Sequence, residues 1–199
     1  MNKKSLFEVK VDENITLRIR NIEDSAILFN LINKNRKHLS EFLNWVPKTK
    51  EVSDTENFIL RKLEEFEKGT SCDFGIYYDN ILIGSAGFHS ICKTNKHASI
   101  GYLISKEYEG KGIVTKVVTK LLEIGLEKYK LHRVEIRMIV ENKKSQAIPK
   151  KLGFKHEGTL RDIIFVNNKF HSMEIWSTLL CPIKKGLNNK KEDDKCNGK

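Results

Sequence analysis

No run of about 18 apolar residues, the length a membrane-spanning helix needs, occurs in this 199-residue chain. The opening MNKKSLFEVKVDEN also lacks an apolar stretch of signal-peptide length, so the expected location is the cytoplasm. Cysteine is sparse: Cys72, Cys92, Cys181 and Cys196 stand far apart. Without a Cys-x-x-Cys or a Cys/His cluster, neither a zinc site nor a disulfide framework is expected, and the thiols read as reduced. Arginine-rich arms and aromatic-basic RNA motifs are missing too. The net charge of +10 is scattered, so it favours acidic partners without pointing to direct nucleic-acid binding. No Gly-x-x-x-x-Gly-Lys-Ser/Thr is present, which excludes the common nucleotide phosphate loop. Neither a metal nor a membrane partner is expected.

Hydrophobic residues make up 39% of the chain and include ten Phe, enough for one sizeable core. The stretch from His97 to Leu126 organises the rest. Ile100, Tyr102 and Ile104 signal a strand. Val114, Val117, Val118, Leu121, Leu122 and Leu126 recur at helical spacing. Between them lies Glu109-Gly110-Lys111-Gly112, where glycine lets the backbone turn and approach a ligand. A helix N-terminus there offers unpaired N–H groups and a positive dipole end, a seat for phosphate. Thr115 stands where a dinucleotide loop would need its third glycine, so any phosphate belongs to another ligand class.

In chain order, Ile15 to Arg20 alternates as a half-buried strand. Asp24 is read as the cap of a helix carrying Ile27, Leu28, Leu31 and Ile32, and a second helix is expected over Arg36 to Leu43. Phe42, Trp45 and Pro47 form an aromatic loop. Ser53-Asp54-Thr55-Glu56 reads as a capping box before a helix that ends at Gly69. Strands follow over Cys72 to Tyr78 and Ile81 to Ile91, joined by the tight turn Asp79-Asn80. Gly84 and Gly87 suggest a bulge or close packing. After the central stretch come a strand over His132 to Val140 and a helix over Asn142 to Lys151. The last pair of strands turns at Asn167-Asn168. The order β-α-α-α-β-β-β-α-β-α-β-β predicts an α/β fold: one mixed, mostly antiparallel central sheet of about seven strands flanked by about five helices. One domain is expected over residues 1–182, then a disordered, solvated basic C-terminal tail over 183–199.

Three stretches together resemble the GNAT N-acetyltransferase superfamily, in its RimJ/RimL-like branch that acetylates protein N-termini. They are Ile100-Gly101-Tyr102 through Thr115; Asn142 through Ser145 with Leu152-Gly153-Phe154; and Glu157-Gly158 with Leu160-Arg161-Asp162 and the Asn167-Asn168 turn. The resemblance implies a GNAT fold whose sheet splays at the cofactor site, and acetyl-CoA as the cofactor. Leu103 and Ile104 would offer backbone groups to the pantetheine arm. Glu109, Gly110, Lys111, Gly112, Ile113, Val114 and Thr115 would wrap the pyrophosphate, Lys111 being either near phosphate or merely solvated. Asn142 would bind the cofactor near the thioester. Ser145 would be a helix cap and a proton donor to the leaving thiolate. Phe42 and Trp45 would lie on the substrate side, or close a lid on the core. Glu109 and Val114 depart from the general loop pattern, which prefers Gln or Arg and Gly or Ala there. Ser99 replaces a Glu that relatives often carry as a base.

Without that carboxylate, an α-amine is the more suitable acceptor. Its pKa of about 7.7–8.0 leaves roughly a tenth neutral at pH 7, whereas lysine at about 10.4 costs about 3.4 kcal/mol more to deprotonate. His89 is a base candidate that would also touch substrate; His97, Glu135 and Glu157 stand behind it, and a water relay is open. Cys72, Cys92 and Cys181 lack a paired His in sequence context, which argues against a covalent cysteine intermediate. The expected reaction is direct transfer of acetyl to a protein N-terminus, the acidic ribosomal stalk protein being one such partner in this branch. A small amine, such as an antibiotic or polyamine, is the alternative substrate. A CoA-binding regulator without turnover is the alternative role, motivated by Ser99. A homodimer stays open.

Overall fold

Alternation along Ile15–Ile19 buries Ile15, Leu17 and Ile19 and leaves Thr16 and Arg18 half-buried, so the segment forms a strand with one core face. The same logic, repeated through the chain, builds the computed structural model, which describes residues 7–181. The expected tail over 183–199 and Cys196 lie outside those residues. The elements are β1 (Glu8–Lys10), β2 (Ile15–Ile19), α1 (Ser25–Lys34), α2 (Arg36–Leu39), α3 (Val52–Glu67), β3 (Cys72–Tyr78), β4 (Ile81–Cys92) and β5 (His97–Ile104). There follow α4 (Ile113–Glu127), β6 (Arg133–Ile139), α5 (Lys143–Lys151), β7 (Lys155–Val166) and β8 (Lys169–Leu179).

The strands form one open sheet in the order β1-β2-β3-β4-β5-β6-β8-β7. Its neighbours are antiparallel except β5 and β6. The described residues hold eight strands, one more than the seven spelled out by the sequence order. The additional one, β1, is a three-residue edge strand too short to show a sequence period. The α-helices number five, as expected, with three short 3-10 turns besides.

Leu82 and Ile83 are consecutive in β4 and point to opposite faces, and each joins a different core cluster. On one face α4 buries Val117, Val118 and Leu121 completely. On the other, α1, α2 and α3 bring Leu28, Ile32, Leu39 and Ile59 together. Among the described residues, no helix is long and apolar enough to cross a membrane.

Several local expectations need correction. α3 starts at Val52 rather than after Ser53. The Asp54 carboxylate accepts the N–H groups of Lys50 at 2.7 Å and Glu51 at 3.1 Å, so Asp54 closes the box and Glu51 is its cap. α2 stops at Leu39, well short of Leu43. Asp24 accepts the Asn21 N–H in a preceding 3-10 turn instead of capping α1 with its side chain. Both asparagine turns hold the positive φ that a tight hairpin requires: 47° and 66° at Asp79-Asn80, 50° and 59° at Asn167-Asn168.

One pairing positions the site. β5 is registered with β4 from His97 to Ile104, but with β6 only at His97–Arg133, Ala98–Val134 and Ser99–Glu135. Beyond Ser99 the two strands part, and β6 continues along β8 alone to Ile139. Gly84 allows the backbone of β4 to lie close to the parting strand: a Cβ there would stand 2.4 Å from the Leu103 carbonyl oxygen.

Candidate active site

A cleft of about 1000 Å³ opens where β5 leaves β6. Its floor includes Tyr102, Leu103 and Ile104, and its walls are the first turn of α4, the start of α5, and α2 with the loop after it. Gly110 and Gly112 both hold φ of +73° with nothing near the place of a Cβ, so conformation rather than space demands glycine. Gly112 caps α4, and the N–H groups of its first turn are free of helical partners by construction. Positive helix ends, open glycine backbone and this volume suit a long ligand with phosphate at one end.

Gly110, Gly112, Ile113, Val114 and Thr115 line the cleft. So do Leu103, Ile104, Glu109, Asn142, Ser145 and Phe42. Three predicted residues do not line it. The Lys111 ammonium sits 4.9 Å above the Tyr108 ring, and Trp45 is partly exposed beside the loop without lining the cleft. His89 is also outside. Its ring crosses the open face of Gly101, near Lys62 and Glu65 of α3, and burial pushes its pKa down to about 4. His89, expected as a base, thus does not line this cleft.

The reserve bases fare no better. His97 pairs with Arg133 at the far end of β5. Glu157 takes both guanidinium nitrogens of Arg133, at 2.6 and 2.7 Å, and these bonds hold it down at about 2. Glu135 is held between Arg133 and Arg137. Ser99 donates its hydroxyl to the His89 carbonyl at 3.2 Å, so its side chain serves the strand pair. The Cys72 thiol is buried, which raises it to about 11, and neither it, Cys92 nor Cys181 lines the cleft. No described group of His, Cys, Asp and Glu is arranged for a metal.

The polar side chains of the cleft are ordered by contacts that no short motif reveals. Asn142 caps α5: its Oδ1 accepts the Ser145 N–H at 3.0 Å, which leaves the amide N–H₂ of the same side chain as donors. Ser145 Oγ is 3.0 Å from the Tyr102 hydroxyl. Burial pushes that phenol up to about 12, so it stays protonated at neutral pH. Glu109 bonds His38 Nε2 at 2.7 Å and Lys144 Nζ at 2.6 Å, linking the glycine turn to α2 and α5. Buried Asn35, at the α1–α2 junction, accepts the Lys106 N–H at 3.0 Å and so ties that junction to the end of β5. The β7–β8 hairpin reaches the end of α2, where Asn167 Nδ2 donates to the Ser40 carbonyl at 3.0 Å. Tyr102, His38 and Asn35 had no role in the sequence reading. Tyr102 stands in a strand and in the Ile100-Gly101-Tyr102 stretch, where no spacing ties it to Ser145, and the contacts of the other two span about 70 positions.

Comparison with known proteins accords with this geometry. The model of the acetyltransferase (GNAT) domain matches residues 14–155. The Bacillus subtilis protein YdaF, provisionally named a ribosomal N-acetyltransferase, is 35% identical over 176 residues, covering 87% of this chain and 96% of that protein. The Escherichia coli ribosomal-protein-serine acetyltransferase is 27% identical over 172 residues, covering 86% and 96%. Among solved structures, the Microcin C7 self-immunity acetyltransferase MccE, in complex with acetyl-CoA and AMP, aligns with a TM-score of 0.83 at 31% identity. That alignment covers 88% of this chain and 98% of MccE.

Proposed function

The chain belongs to the GNAT acetyltransferase family and uses acetyl-CoA, and from that premise we propose that it acetylates the α-amine of a protein N-terminus, in the cytoplasm. Acetyl-CoA supplies an acetyl group already activated as a thioester. Residues 7–181 act as one catalytic domain. The parting of β5 from β6 carries the reading, because beyond Ser99 it leaves the β6 side of β5 without a strand partner, beside the cleft that Leu103 and Ile104 line. The glycine turn and the first N–H groups of α4 take the pyrophosphate, and the Asn142 amide takes the arm nearer the thioester. Backbone N–H groups of the splayed strand polarise the carbonyl that the amine attacks. Ser145 Oγ donates to the sulfur as it departs.

The amine reading is supported by the state of the acids. Glu109 is already held by His38 and Lys144, and Glu141 of the cleft lies 3.4 Å from His171. An acceptor that is partly neutral without a strong base suits such a site. The names of the two curated relatives agree with a ribosomal-protein acceptor. The positive net charge would speed encounter with an acidic one.

A small amine is the second reading, favoured by the aromatic loop: Phe42 lines the cleft and Trp45 is 38% exposed beside it. MccE, solved with AMP, shares the fold and keeps this reading open. The discriminating experiment is thiol release from acetyl-CoA with N-terminal Ser or Ala peptides, set against small amines. Turnover with the peptides is expected. Turnover with small amines alone moves the substrate to the second reading, and CoA binding without any thiol release would indicate a regulator.

A further inference from the structure

Pro149 interrupts the hydrogen-bond ladder of α5 one turn after Ser145. Proline has no N–H, so the Ser145 carbonyl lacks the donor a regular helix supplies. Tyr102 of β5 fills that place, its hydroxyl donating to the Ser145 carbonyl oxygen at 3.1 Å. The same phenol oxygen is 3.0 Å from Ser145 Oγ. A phenol has one proton, so at any moment it serves one of the two acceptors. With the carbonyl taking it, Ser145 Oγ–H donates back to Tyr102.

We propose that Tyr102 is a positioning residue that holds and polarises the Ser145 hydroxyl toward the departing sulfur, with Pro149 setting where the phenol proton rests. The assignment depends on the reading of Ser145 given above. As charge builds on sulfur, Ser145 Oγ–H turns to it and the Tyr102 proton turns from the carbonyl to Oγ. Two neutral hydrogen bonds are thereby exchanged for a chain of two that ends on the charged sulfur, the Ser145 carbonyl giving up its donor and the charge-assisted bond being the stronger. The step balances without either hydroxyl losing its proton. The C–N bond forms, the C–S bond breaks, nitrogen sheds its surplus proton to water and sulfur leaves as a hydrogen-bonded thiolate. Burial keeps the phenol protonated well above neutral pH, so it is always a donor.

The test compares S145A, Y102F, P149A, Y102F/P149A and Y102F/S145A, measuring Tm and the kinetics of thiol release with acetyl-CoA and an N-terminal Ser peptide. Y102F should lower Tm by a few degrees and kcat at least tenfold, with KM for acetyl-CoA changed less than twofold. The P149A substitution restores a backbone donor to the Ser145 carbonyl, so Y102F/P149A should regain Tm while kcat stays low. Y102F/S145A should be no slower than S145A. Recovery of kcat together with Tm in Y102F/P149A would make Tyr102 purely structural and overturn the proposal. A slow S145A beside a normal Y102F overturns the Tyr102 assignment alone, whereas S145A at the native rate removes the Ser145 reading itself. Should no peptide react, the same kinetics are read with the small amine that releases thiol, and absence of Tm rescue by P149A contradicts the hydrogen bond from Tyr102 to the Ser145 carbonyl.

Discussion

Glu109 Oε1 lies 2.7 Å from His38 Nε2, two side chains 71 positions apart in sequence and only about one-fifth exposed. Desolvation alone would raise the Glu109 carboxyl. The bonds from Lys144 and His38 outweigh it and hold the group below its ordinary value. Lys144 makes the second contact from a largely exposed position. Glu109→Ala should cost about 1–2 kcal/mol of stability, since it removes a charge-assisted bond between half-buried groups. Lys144→Ala should cost less than about 0.5 kcal/mol, the usual value for an exposed pair. Urea unfolding of both variants checks the order.

Gly84 and Gly112 should fail differently when replaced by alanine. At Gly112 the space is open, and the left-handed backbone alone costs about 1–2 kcal/mol. At Gly84 the new Cβ meets the Leu103 carbonyl oxygen at 2.4 Å, so a strand must move. The expected cost is about 1–3 kcal/mol, with a larger loss of CoA affinity than a surface substitution gives. Thermal unfolding and CoA titration separate the two.

Asn142→Asp keeps the oxygen that caps Ser145 N–H and removes the amide donors. Stability should change by less than about 0.5 kcal/mol, while KM for acetyl-CoA rises severalfold. Asn142→Ala should lose about 1 kcal/mol of stability as well. An Asp variant with native KM would reduce Asn142 to a helix cap.

Burial of His89, with Lys62 adding to it, lowers its pKa from 6.5 to about 4. Between those values the unfolded chain binds a proton that the folded chain refuses, so stability falls as pH drops through the window. The loss is about 1.4 kcal/mol per pH unit, reaching about 2 kcal/mol by pH 5. His89→Gln should flatten this part of the profile in urea unfolding at pH 7 and pH 5.

The fold was legible because strand alternation and helical spacing are local signals. Val117, Val118 and Leu121 recur at helical spacing, and the same three are fully buried. The Asp79-Asn80 and Asn167-Asn168 turns were legible because positive φ selects such residues. The edge strand Glu8–Lys10 was not, since three residues show no period. In the cleft, the glycine turn, Asn142 and Ser145 stood in compact motifs. The effect of Pro149 on the Ser145 carbonyl needs Tyr102 beside it, and no sequence spacing brings them together. His89 misled because a histidine on a glycine-bearing strand resembles a site residue, whereas its face of the sheet is covered by α3.

The central claim is transfer to an α-amine, and one peptide tests it directly. The peptide carries a free N-terminal Ser and one internal Lys, is incubated with the protein and acetyl-CoA at pH 7, and is sequenced by tandem mass spectrometry. The difference in deprotonation cost of about 3.4 kcal/mol corresponds to roughly a 300-fold excess of neutral α-amine. Acetyl is predicted on the N-terminus in large excess. Equal labelling of the lysine, or labelling of the lysine alone, would contradict the claim.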